Sequence, residues 1–147
     1  MAFKFRYETL LSYRQHLKEK AGSELSSARQ QLTKIRGSLE NHKEILQQAN
    51  QYLEADLKTW ISSDELKNHS DYLAGLRGRI ETEEQEVAEW EKVVCEKLEN
   101  LLTETKQYKI IEKLKERNFK EWSHQQHLLD LKRMNEAAVI RYGKEFF

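Results

Sequence analysis

Five histidines, one cysteine and a dense run of glutamates are the residues of this 147-residue sequence whose chemistry extends beyond packing. His124 and His127 stand three apart, a spacing that puts two side chains on one face of a helix and could offer two metal ligands. No cysteine or third ligand stands near them, so a solvated pair is the simpler reading. His42 and His69 occupy inward positions of apolar heptads, where a polar residue usually fixes register or oligomeric state rather than serving as a pH switch. Cys95 is alone, which excludes an intramolecular disulfide and a cysteine-rich zinc site. Beside Val94 it reads as a half-buried small side chain. Residues 81–104 hold nine Glu against Lys92 and Lys97. They lack the spacing and glycine of a calcium loop and read as a solvated acidic face. There is no GxSxG, no Walker lysine and no glycine-rich phosphate loop. The expectation is a protein that is not an enzyme and uses no cofactor or metal.

The elements that would carry these residues are helices. Proline is absent, where an average chain of this length would hold roughly seven. Hydrophobic residues make up 38% and charged residues 34%, with five glycines. That balance points to long helices with narrow apolar seams. Leu25, Leu32, Leu39, Leu46 and Leu53 repeat every seven residues, and Trp60 continues them. Leu66, Leu73, Ile80, Val87, Val94 and Leu101 form a second series that runs on to Tyr108. Sustained heptads separate a coiled coil from disorder.

Between the series Ser62 can cap the second helix, with Glu65 completing a capping box and Ile61 and Leu66 at the positions of a hydrophobic staple. The sequence predicts helix one over about 7–60, a turn over about 61–63, helix two over about 64–141, and Gly143 as the stop. A connection this short folds the helices back on one another. The expected fold is all-α, a single domain of two long helices forming an antiparallel coiled-coil hairpin. Folding at about residue 62 lays the acidic stretch 81–104, net −7, beside residues 20–43, net +3. At the open end, residues 1–19 are net +2 and residues 105–147 are net +4. Helix two overshoots helix one by about 20 residues at the predicted boundaries, leaving Trp122, Leu128, Leu129, Leu131 and Met134 exposed on an unpartnered tail. Tyr72, just past the bend, reads either as seam edge or as a contact site.

Formal net charge is zero, which argues against a nucleic-acid partner. Apolar runs of about four residues, such as 137–140, are far short of the roughly 20 that span a bilayer, and the start lacks a signal-peptide core. The expectation is an intracellular chain with no direct membrane insertion. A coiled-coil nucleic-acid-binding arm is the alternative of a different class. A prefoldin-type holdase needs strands between its helices, for which a four-residue connection leaves no room.

The start F-x-F-R-Y-x-x-L-L-x-x-R (Phe3, Phe5, Arg6, Tyr7, Leu10, Leu11, Arg14) resembles the opening of the flagellar type III export protein FliJ family. The run Lys109, Glu112, Lys113, Leu114, Lys115, Glu116, Arg117, and then K-R-M-N-E-A-A over 132–138, are similar to that family's C-terminal half, with Asn135 where the family usually has Asp. The resemblance implies a cytoplasmic antiparallel coiled coil, peripheral at the inner-membrane export apparatus. It implies a stalk in the hexameric export ATPase that couples this ring to the export gate's cytoplasmic domain and handles flagellar export chaperones. The equivalent stalk of a virulence injectisome is the nearest alternative. The gate contact it implies falls on Tyr72 and Leu76, with polar Arg79 and Glu83 following. Together with the basic, apolar open end, it places the ATPase-ring contact on Phe5, Leu10, Leu11, Arg14, Lys113, Lys115, Arg117, Trp122 and Met134.

Overall fold

A computed structural model of the chain describes residues 2–146, with side chains through residue 143. Two helices account for its regular structure, α1 over Glu8–Lys58 and α2 over Ser63–Phe146, 51 and 84 residues long. They pack as an antiparallel coiled-coil hairpin, and the described residues contain no strand. α1 ends two residues before the predicted boundary. There the Thr59 N–H and hydroxyl both donate to the Asp56 carbonyl, each at 3.1 Å. α2 begins as the cap predicts. The Glu65 N–H donates to Ser62 Oγ at 3.2 Å, and the Leu66 N–H donates to the Ser62 carbonyl at 3.1 Å. Asp64 and Glu65 place negative charge at the positive end of the helix dipole.

Gly143 does not stop α2, which runs on to Phe146. A glycine ends a helix by taking a left-handed conformation, and no glycine among the described residues has positive φ. Inside a helix it costs only about 1 kcal/mol relative to alanine, which good helix formers on either side offset.

The contacts gather into two compact units, Lys20–Leu101 and Met1–Glu19 with Leu102–Phe147. In the first, Ala21, Leu25, Ala28, Leu32 and Leu39 of α1 and Leu73, Leu76 and Ile80 of α2 are buried. Steps of four and three residues along α1 keep these side chains on one face, and the two alanines let the backbones approach. A Cβ added at Gly22 would meet Leu101 Cδ1 at 3.9 Å, an ordinary contact distance. Each buried leucine stabilises the fold by roughly 1.5–3 kcal/mol.

The antiparallel sense is visible in the polar pairs beside that seam. Asp56 meets His69 at 3.2 Å, Lys43 meets Glu84 at 3.7 Å, and Arg36 meets Glu91 at 2.8 Å. The last two join the basic stretch of α1 to the acidic stretch of α2. Glu24 and Lys97 make the reverse pair at 3.2 Å. Most of these side chains are well exposed, so each pair contributes under about 1 kcal/mol and acts chiefly on register.

Burial fades toward the bend along α1 and away from it along α2. Leu46 and Leu53 are half-buried, as are Val87, Val94 and Leu101 on α2. Trp60 and Leu66, expected in the seam, are not there. Trp60 is fully exposed and Leu66 is 42% exposed. Helix α1 has already ended at Lys58, so Trp60 has lost the helical phase that would turn it inward. Leu66 lies in the first turn of α2 and lines a small hollow with Leu57, Trp60 and Ile61, as a staple residue does. Cys95 is exposed rather than half-buried, because Val94 and Lys97 fill the inward positions around it.

Candidate functional site

Two surfaces carry the residues with candidate roles. Within the unit Met1–Glu19 with Leu102–Phe147, the extended residues before α1 fold against α2. The Phe3 ring sits 5.4 Å from Phe119 and 5.8 Å from Trp122, and Phe119 lies 5.9 Å from Trp122. Phe5 and Leu11 are buried, and Phe5 packs edge-on against Tyr7 with centroids 5.9 Å apart. Lys115 is tied to Glu8 at 2.9 Å, and the Lys18 ammonium stands 4.7 Å from the centre of the Tyr108 ring.

These contacts sort the residues expected at the ATPase ring. Phe5, Leu11 and Trp122 are committed inside the hairpin, and Lys115 is held in an ion pair. Arg14 is half-buried, and Leu10 is at the margin of exposure. Lys113, Arg117 and Met134 are exposed, Met134 by 68%. Trp122 lies beyond the start of α1, yet it is not on the unpartnered tail. The partner it finds is the segment before that helix. No local period signals this contact, because it joins residues at opposite ends of the sequence.

Beyond Trp122 the chain has apolar side chains with no cover from α1. Leu128, Leu129, Leu131, Met134, Val139 and Ile140 are all at least 43% exposed. Leu128, Leu131, Val139 and Ile140 line one shallow groove with Lys132 and Glu136. Among the described residues no group of three His, Cys, Asp or Glu side chains could hold a metal ion, and His124 and His127 are exposed.

The second surface lies past the bend in the unit Lys20–Leu101. Tyr72 is 55% exposed, but Leu76 is buried in the seam. The two are four residues apart, and the inward face takes Leu73 and Leu76, which turns Tyr72 to the edge. Nothing lies within 4 Å of a Cβ built at Gly75 or Gly78, so the helix flank beside Tyr72 is bare. Arg79 is exposed, while Glu83 is half-buried. Glu83 accepts from Ser38 Oγ at 2.9 Å and bonds His42 Nδ1 at 2.9 Å. Burial pushes its carboxyl up. The bonds to His42 and Ser38, with the charges of His42 and Arg79, outweigh this and hold it below the ordinary glutamate value. Glu83 is therefore a register element of the hairpin.

A family model described as Flagellar FliJ protein matches residues 3–145 of this chain. A Flagellar FliJ protein from Bacillus subtilis (strain 168) is 23% identical over 145 residues, covering 97% of each chain. No solved structure shows a significant match.

Proposed function

The chain belongs to the FliJ family of flagellar proteins, and from that premise we propose that it is a non-enzymatic stalk of flagellar protein export. In this reading it couples the hexameric export ATPase to the cytoplasmic domain of the export gate and handles export chaperones. It works in the cytoplasm at the inner-membrane export apparatus. Among the described residues no helix is long and apolar enough to cross a membrane.

The observation that carries the reading is the open end. There Leu128, Leu131 and Met134 are exposed beyond the last contact with the N-terminal segment, and Lys113 and Arg117 are exposed on the same helix. Apolar surface of this extent without cover is a mark of a partner. Cations near it give contacts that are screened and readily exchanged, which suits a stalk that must not lodge in one position of a ring. At the bend, Tyr72 beside the bare flank of Gly75 and Gly78 is the residue offered to the gate, with Leu76 supporting it from below.

The test is truncation. Removing residues 123–147 takes away the exposed tail and leaves Phe3, Phe119 and Trp122 in place. Stimulation of the ATPase should be lost while the helical signal per remaining residue is unchanged. Full stimulation by the truncated chain would move the ring contact elsewhere.

A further inference from the structure

The sequence places Trp122 at the ATPase contact, and the structure places it beneath the side chain of Phe3, with 5.8 Å between ring centroids. That cover does not come from α1. Glu8, the first residue of α1, pairs with Lys115 at 2.9 Å, and Trp122 lies about two turns of α2 further on. What stands over it is the extended chain before the helix, residues 2–5. This segment is held unevenly. Phe5 is buried, and its carbonyl accepts from the Glu8 N–H at 3.3 Å. Residues 2–4 make no backbone–backbone hydrogen bond among the described residues. Ala2 and Lys4 are exposed, and Phe3 is half-buried. The fixed part of the segment therefore ends at Phe5, and Phe3 is held by its aromatic contacts.

The surface beneath Phe3 is apolar and continues beyond it. Phe119, whose centroid is 5.4 Å from that of Phe3, is 49% exposed even with Phe3 in place. Trp122 and Leu129 are seven residues apart and so share a side of α2, and Leu129 is 46% exposed. Swinging Phe3 away about Lys4 joins Phe119 and Trp122 to that exposed surface. It disturbs neither the burial of Phe5 nor the Glu8–Lys115 pair. The two aromatic pairs that Phe3 makes favour the closed form by only about tenfold. A segment with few buried contacts and no backbone bonds is of the kind that opens locally while the rest stays folded.

We propose that residues 2–4 are a removable cover over Phe119 and Trp122, and that the export ATPase binds the chain with this cover open and both side chains in contact. The proposal rests on the stalk reading and adds a means of regulating it. In the free chain the chain's own Phe3 masks part of the surface that the ATPase takes. Binding then selects the open form, and the apparent affinity is reduced by the fraction of chains that are open. The closed form shields an indole and a phenyl group from water, and from wrong partners, until the ATPase is met.

The experiment measures binding of the full chain to the hexameric export ATPase. Phe3→Ala should tighten it by roughly fivefold to tenfold, the factor that the closed cover withholds. A purely structural role for Phe3 does not predict a gain in affinity. Phe3→Tyr keeps an aromatic cover and should stay within about twofold of the parent. Trp122→Ala added to Phe3→Ala should remove the gain. A second measurement follows the cover in the free chain. Trp60→Phe with Trp90→Phe leaves Trp122 as the remaining one of three tryptophans. In that background Phe3→Ala should red-shift the emission while circular dichroism stays helical. Unchanged emission would overturn the proposal, and so would a gain that survives Trp122→Ala. A parent chain that does not bind the ATPase overturns the stalk reading, and this proposal with it. Binding by the parent that Phe3→Ala leaves equal or weaker overturns the cover alone.

Discussion

In the unit Lys20–Leu101 a set of apolar side chains including Leu25, Leu32, Leu39, Leu73, Leu76 and Ile80 is buried, while in the unit Met1–Glu19 with Leu102–Phe147 Phe5 and Leu11 are buried and the apolar side chains beyond Trp122 face water. Both are built from the same two helices. The difference lies in what stands opposite. In the first unit alanines and leucines along α1 from Ala21 to Leu39, and Leu73, Leu76 and Ile80 along α2, are buried where the two helices meet. In the second α1 gives out at Glu8, a short extended segment covers Phe119 and Trp122, and α2 continues uncovered. Apolar residues therefore mean stability in one region and contact in the other, although their spacing alone does not distinguish the two.

The sharpest way to break this comparison is to place the same charge in each region. Leu39→Asp buries a carboxylate in the seam and should cost about 3–5 kcal/mol in urea unfolding. Leu131→Asp, at a side chain 43% exposed, should stay within about 0.5 kcal/mol. Equal losses would mean that the tail is covered after all.

A smaller effect measures how far the N-terminal segment extends the packed region. Phe3→Ala and Trp122→Ala, singly and together, should show a coupling of about 1 kcal/mol. Additive losses would show that the rings do not support one another.

The smallest effect concerns pH at the edge of the seam. The Glu83 carboxyl is held below its ordinary value in the folded chain. Its stabilising contribution is therefore complete above the unfolded value of about 4.3 and is lost as pH falls through the lower folded value. Glu83→Gln should flatten the acid limb of the stability profile below about pH 4.3. An unchanged acid limb would show that another carboxylate governs it.

Much of the fold was legible in the sequence because it rests on local rules. Heptads at Leu25, Leu32 and Leu39, the absence of proline and the Ser62 cap each act within a turn or two of helix. Trp60 and Leu66 were misplaced because a heptad count cannot register that α1 stops at Lys58. Gly143 misled because its conformation, not its identity, decides whether a helix ends. The surfaces were less legible. That Leu76 is covered while Tyr72 is exposed follows from which face meets α1, a property of the pair and not of either helix. The cover that Phe3 gives Trp122 joins residues at opposite ends of the sequence, which no local period reveals.

The exposed thiol of Cys95 is the only one in the sequence. Oxidation cannot cross-link one chain internally and can join two chains only by a single bond at this position. A maleimide reagent that reaches it marks each molecule once, at a known place on α2. The chain thus carries its own attachment point for a fluorophore or spin label, with a stoichiometry of one and no engineering required.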